Sequence, residues 1–165
     1  MARIGIEYFT DFRKIDNLNT DEISEVLEEK IDRLEPEFFI KVFGYEFQQI
    51  MLADDTNPIY ESILNGTEYR NSNGQLVKWE GINESIANYI YYWWHRERTP
   101  LSGGVAFVKG QVQNATVADP NYRIVPVWNK LKPALSILRD YLYINQANYP
   151  TLVFTNFEIM FTNGL

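Results

Sequence analysis

The chain has 165 residues and a net charge of -7; 45% of it is hydrophobic and 15% is aromatic. This composition is typical of a globular protein rather than a disordered one, and the length favours a single domain over residues 1–165. There is no cysteine and only one histidine, which excludes disulfide scaffolds, thiol catalysis and cysteine-ligated zinc. So acidic a chain is a poor non-specific nucleic-acid binder, because such binding needs many basic contacts.

The first part of the chain predicts an extended arm followed by two helices. Residues 3–9 alternate between apolar and polar side chains, a pattern typical of a strand. Apolar residues at helical spacing predict an amphipathic helix over 20–34, which we expect to end before Pro36 because the residue before proline avoids helical angles. A second apolar stripe predicts a helix over 36–52, with Gly44 as a possible break.

The middle of the chain predicts a short helix and a hairpin. Asn57-Pro58 opens a helix to Leu64, because proline suits the first turn of a helix. Residues 67–70 and 75–79 then flank the turn sequence Asn71-Ser72-Asn73-Gly74. Such a turn between two short alternating runs indicates an antiparallel hairpin.

The second half predicts two long helices separated by an extended segment. Apolar residues at helical spacing indicate a helix over about 82–98 and another over 123–146, which Pro133 should kink or divide. Between them, residues 99–120 contain glycine and short Val- and Phe-containing runs, which we interpret as an ordered extended arm. Alternation returns near the C-terminus, where residues 150–165 predict an extended tail.

Together these patterns predict a mainly α fold: a bundle of four to five helices with a short β-hairpin. Extended β arms are expected at the N-terminus, over 99–120 and at the C-terminus. Isolated strands are unstable in water, so we expect at least one arm to be completed by a neighbouring copy. The residues expected at such a subunit interface are Val105, Phe107, Val112, Phe157, Ile159, Phe161, Tyr91 and Trp94.

The helix over 82–98 has aromatic side chains on all its sides, including Tyr91 and Trp94. A helix that is apolar all round is surrounded by protein. The sequence leaves two interpretations open: a central core helix, or a helix whose outer side contacts a neighbouring subunit, since interfaces favour Tyr, Trp and Arg.

One face of the first helix is strongly acidic. Asp21, Glu25, Glu28 and Asp32 lie at offsets 0, 4, 7 and 11, opposite the Ile/Leu stripe, and two more glutamates, Glu22 and Glu29, widen this face. Like charges four residues apart destabilise a helix slightly. The face is either a solvated surface or a surface that must not bind polyanions.

The sequence contains no recognisable catalytic or cofactor-binding motif. His95 lies near the end of a helix without a nucleophile pattern beside it, and we interpret it as a packing residue. No phosphate-binding glycine loop or calcium loop occurs. We therefore predict a protein that is not an enzyme, with no catalytic residue, no metal ligand and no cofactor.

Three stretches resemble the head–tail connector (neck ring or adaptor) proteins of tailed bacteriophages. The first is Phe39 to Glu46, an aromatic helix junction punctuated by glycine. The second is Ile86 to Trp94 leading into the small-residue loop at 99–105, and the third is Trp128 to Asn145 running into Asn148-Tyr149-Pro150. The resemblance covers most of the chain in order and spacing.

The resemblance implies a structural virion protein, assembled in the host bacterial cytoplasm. Such proteins form a closed ring of identical copies that joins the portal protein to tail and neck proteins. DNA leaves through the ring without specific binding, no membrane is involved, and no catalytic residues carry over. On this basis we predict that Asp21, Glu25, Glu28 and Asp32 face the DNA channel.

Two other functions remain open from the sequence. The first is a small intracellular helical adaptor that binds a peptide or protein without forming a ring. The second is a carboxylate-dependent hydrolase of cell-wall sugars, which requires a cleft holding two acids, at least one of them with a raised pKa.

Overall fold

The computed structural model describes residues 3–54, 56–98 and 121–152. The predictions for the arm at 99–120 and for the tail from residue 153 onward lie outside the described residues. The five helices are α1 (Asp21–Phe43), α2 (Tyr45–Ala53), α3 (Pro58–Asn65), α4 (Asn83–Arg98) and α5 (Asn121–Ile144). The strands are β1 (Thr67–Arg70) and β2 (Leu76–Trp79), and single 3-10 turns form at Ile6–Tyr8, Asp11–Arg13 and Gln146–Asn148.

The predicted mainly α bundle with a short hairpin is confirmed. β1 and β2 pair antiparallel, with Thr67 opposite Trp79 and Arg70 opposite Leu76. The turn closes because the Asn71 side-chain oxygen accepts hydrogen bonds from the backbone N–H groups of Asn73 and Gln75. An asparagine side chain that binds the backbone just ahead of it is a common turn-forming device.

The predicted break at Pro36 is wrong, because α1 continues through Pro36 to Phe43 as one helix. Pro36 is exposed, so water can solvate the backbone carbonyl that loses its N–H partner there. The chain turns at Gly44 instead, which has φ 80° and ψ 157°. Only glycine adopts these angles readily.

The predicted N-terminal strand is also wrong. Residues 6–8 and 11–13 form 3-10 turns, and the described part of the chain offers this segment no partner strand. Two apolar residues of this segment, Ile4 and Phe9, are instead buried in the core. Burial of these two side chains fixes the segment against the bundle without a sheet.

α5 runs unbroken through Pro133, which therefore does not divide the helix. Pro126 also lies within it, and both prolines are exposed. The carbonyl groups that lose an N–H partner thus lie on the solvent side, where water can satisfy them.

α4 occupies the centre of the bundle. It packs most extensively against α5 and also contacts α1, whereas α1 and α5 share few contacts among the described residues. Tyr89 of α4 contacts the ring of Phe38 from α1, and Tyr92 of α4 contacts Trp128 of α5. α4 therefore lies between α1 and α5 in the bundle.

Candidate functional site: an acidic row and a basic groove

The acidic face predicted on the first helix is present on α1. We call the four residues predicted to face the DNA channel the acidic row: Asp21, Glu25, Glu28 and Asp32. All four are exposed, as are the flanking Glu22 and Glu29. None of the six forms an ion pair with a described residue. No cation among the described residues therefore compensates their negative charge.

The basic residues of the same helix segment do not neutralise this face. Lys30 and Arg33 both form ion pairs with Glu97 of α4, with Arg33 Nη2 2.8 Å from a carboxylate oxygen of Glu97. Partial burial raises the pKa of Glu97, but the two cations outweigh it and hold that pKa below its usual value. These ion pairs connect α1 to α4, and neither Lys30 nor Arg33 forms an ion pair with the acidic row.

Two of the expected interface residues lie in the core of the chain. Tyr91 is 2% exposed and Trp94 is 1% exposed. This corrects their assignment to a subunit interface, because neither side chain is accessible to a neighbouring copy. Of the two interpretations that the sequence left open for this helix, the structure supports the first: α4 is a central core helix. The other expected interface residues, Val105, Phe107, Val112, Phe157, Ile159 and Phe161, lie outside the described residues.

His95 has the packing environment expected from the sequence. Its ring lies edge-on to Tyr91, with 4.4 Å between the ring centroids. Its Nε2 atom is buried although the residue is partly exposed, so this nitrogen does not face solvent as a general base in an open site would.

A groove of about 710 Å³ lies between the hairpin and α5. Tyr69 and the turn residues Asn71–Asn73 form one wall, and Ser136, Arg139 and Asp140 belong to the other. A smaller hollow lined by Lys132 and Pro133 adjoins it, since both share Ser136 and Arg139. The two together form one concave surface along α5.

Tyr69 connects the two walls of the groove. Its hydroxyl lies 2.9 Å from the backbone oxygen of Ile137 and 3.0 Å from Asp140 Oδ2, so it can donate to either acceptor. Burial and the neighbouring carboxylate both raise the pKa of Tyr69. The hydroxyl therefore stays protonated and continues to donate at physiological pH.

The groove has basic residues on its open side. Lys132, Ser136 and Arg139 lie at offsets 0, 4 and 7, and we call them the basic row. Ser136 and Arg139 are exposed and Lys132 is half-buried. Neither Lys132 nor Arg139 forms an ion pair with a described residue, although Lys132 Nζ lies 6.0 Å from the ring of Trp128.

Sequence reasoning missed the basic row. Its signal was present, because each of its residues directly follows a core leucine: Leu131, Leu135 and Leu138. The hairpin that forms the opposite wall is far from α5 in the sequence and meets it only in the folded protein. No local sequence pattern could therefore predict the groove.

The groove contains one carboxylate, Asp140, among its lining residues. Glycoside hydrolysis by the usual mechanism needs two carboxyl groups facing each other across the scissile bond. The described geometry of this groove therefore does not favour the hydrolase alternative.

A buried polar network fixes the N-terminal segment to α4. Arg13 is 6% exposed; its Nη1 donates to Glu84 at 2.6 Å and to Asn88 at 3.1 Å, and its Nε donates to the backbone oxygen of Tyr8 at 2.9 Å. Since Nη2 also donates to Glu84, every nitrogen of this guanidinium has a hydrogen-bond partner, and we interpret the network as structural.

No protein-family model, curated protein or solved structure matches this chain. Within residues 3–54, 56–98 and 121–152, no group of three or more acidic or histidine side chains is placed to hold a metal ion. None of the helices in that part of the chain is both long and apolar enough to cross a membrane. The functional conclusion therefore depends on the geometry and charge of the surface.

Proposed function

We propose that this protein is a structural ring component of a tailed-bacteriophage virion, a head–tail connector that joins the portal to the tail. The acidic row supports this proposal most strongly. Its four carboxylates are exposed and form no ion pair with a described residue, and the nearby cations Lys30 and Arg33 pair with Glu97. A channel lined by such a row repels the phosphate backbone and lets DNA pass without adhering.

The proposal accounts for the position of the acidic row. It occupies the N-terminal half of α1, on a side of the helix that no other described element covers. A ring of several copies would repeat this row around the channel, so the repulsion would come from every side. Closed rings arise when one surface of each copy binds a different surface of the next.

The test of the acidic row is to reverse its four charges to lysine and to measure DNA binding. We expect the variant to bind duplex DNA with an affinity that falls steeply as salt increases, because the new cations release counterions from the phosphates. The control reverses the same number of exposed acids elsewhere, which gives the same net charge. The control positions are Glu46, Glu61, Glu68 and Glu80.

Equal DNA binding by both variants would show that net charge alone matters and would remove the channel assignment. The ring is tested separately, by co-expressing the chain with the portal protein of the same genome and imaging the product. A closed ring on the portal supports the proposal. A chain that stays free of the portal, or binds it as a single copy, favours the ring-free adaptor instead.

A further inference from the structure

The solvent-facing side of α1 carries a second acidic line beside the acidic row. Glu22, Val26 and Glu29, which we call the outer row, each follow a member of the acidic row by one position. A step of one residue rotates the side chain by about 100°. The outer row therefore faces a different direction from the acidic row, and it points away from the buried Leu27 and Ile31.

The outer row and the basic row lie on two helices, α1 and α5, that share few contacts among the described residues. α4 lies between α1 and α5, the outer row faces away from the core on α1, and the basic row lies on the solvent-exposed flank of α5. Within one copy, neither Glu22 nor Glu29 forms an ion pair with Lys132 or Arg139. The two rows can meet between copies in a head-to-tail contact, which propagates around a ring when the rotation closes.

The two rows match in charge and spacing. Glu22 and Glu29 are seven residues apart, and so are Lys132 and Arg139. Seven residues span about 10 Å along a helix, so two carboxylates of one row can face two cations of the other. The central residues are Val26, which is 37% exposed, and Ser136, which is also exposed, and both are small enough for close approach.

From these observations we propose that the outer row of one copy docks on the basic row of the next copy. This inference rests on the proposed ring and names the surfaces that build it. The acidic row is left uncovered by this contact, because it faces a direction about 100° away on the same helix. One helix thus presents one line of carboxylates to a neighbour and another to the channel.

Exposed ion pairs are individually weak and are screened by salt. The contact should therefore be weak between free copies and sensitive to ionic strength. A cross-linking assay is suited to such an interaction, and the natural absence of cysteine from this chain makes it selective.

The experiment mixes a Val26→Cys protein with a Ser136→Cys protein under mild oxidation. These substitutions lie at the centres of the two rows and leave all four charges in place. We expect a disulfide-linked dimer of the two variants on non-reducing gels. The matched control pairs Val26→Cys with Ala53→Cys, an exposed position at the end of α2, and should give at least about tenfold less dimer.

Charge reversal then tests the mechanism. Adding E22K and E29K to the first protein, or K132E and R139E to the second, should lower the cross-linked yield at least about tenfold. Combining the two reversed proteins should restore the yield, since opposite charges face each other again. A yield no higher than the control, or one unaffected by either reversal, overturns the proposed contact.

The outcomes separate this contact from the proposed function. Closed rings on the portal without the Val26→Cys to Ser136→Cys cross-link would keep the ring and reject the contact. A charge-dependent cross-link with only open filaments would keep the contact and reject the ring. Circular dichroism of each variant checks that the exposed substitutions leave the helical bundle folded.

Discussion

The two halves of α1 differ on the same side of the helix: the first half carries exposed carboxylates there and the second half carries buried aromatic rings. Asp32, Phe39 and Phe43 lie at offsets 0, 7 and 11 and thus share a face. Asp32 is exposed, whereas the two phenyl rings are buried and stack with their centroids 5.9 Å apart. The difference comes from what surrounds each half, since Phe43 also contacts Phe47 of α2. Charge is thus confined to the part of the face that no other described element covers.

The largest expected effect comes from truncating this shared face in its buried half. Phe43→Ala should lower the free energy of unfolding by about 3–5 kcal/mol, because it removes a buried ring and leaves a cavity. Asp32→Ala, on the same face in the exposed half, should change it by less than about 0.5 kcal/mol. Urea denaturation measures both, and comparable losses would show that the two halves do not differ as described.

The end of the buried half provides the next test. Gly44→Ala should cost about 1–3 kcal/mol, since its backbone angles are those that only glycine adopts readily. Pro36→Ala should have the opposite sign and stabilise the protein by about 1–2 kcal/mol, because it restores a missing N–H within α1. Thermal or urea unfolding checks both signs. Destabilisation by Pro36→Ala would mean that the proline ring packs in a way its exposure does not indicate.

The same pair of residues shows what the sequence could predict. Helical periodicity and turn-forming residues act locally, so the hairpin and the helices α3, α4 and α5 were predicted close to their observed bounds. The choice between Pro36 and Gly44 as the end of α1 was not local. It depended on whether the helix continues into surroundings that bury Phe39 and Phe43, and that burial stabilises the helix more than the proline weakens it.

The two candidate surfaces also differ in whether the sequence could predict them. The acidic row was predicted because its spacing is a property of one helix. The groove was missed because its walls come from two elements, with Tyr69 reaching across to Ile137. The N-terminal segment was misassigned as a strand because alternation alone does not distinguish a strand from a coil whose apolar residues, such as Ile4 and Phe9, are buried by the bundle.

Glu35 lies at the boundary between the two halves of α1. The burial of its carboxyl group there can be tested through the pH dependence of stability. Burial raises the pKa of Glu35 despite its acceptance of hydrogen bonds from the backbone N–H of Arg3 at 2.9 and 3.0 Å. A carboxyl whose folded-state pKa is raised binds its proton more tightly in the folded state than in the unfolded one. Wild type should therefore gain stability relative to Glu35→Gln as the pH falls from neutral towards 4.5, and the difference should level off below that.

Glu97 serves as the control for this pH series because its pKa is shifted in the opposite direction. Relative to Glu97→Gln, wild type should lose stability as the pH falls below about 4.5. Urea unfolding at a series of pH values measures both differences. Parallel slopes for the two variants would contradict the description of Glu35 as a carboxyl whose burial dominates its titration.

The smallest expected effect comes from single charges on the two halves. Glu25 has like charges four residues away on both sides, at Asp21 and Glu29, so Glu25→Gln should stabilise the protein by about 0.2–0.5 kcal/mol for each repulsion removed. Glu37, in the second half, pairs with Lys41 four residues later, so Glu37→Gln should destabilise by a similar amount. Both effects should shrink in high salt. Urea unfolding at low and high salt measures them. Because the two substitutions are chemically identical and lie on one helix, opposite signs at low salt would show that Glu25 lies among repelling charges and Glu37 beside an attracting one. Repulsion of this kind is the property that the proposed DNA-facing surface requires, so its measurement bears directly on that proposal.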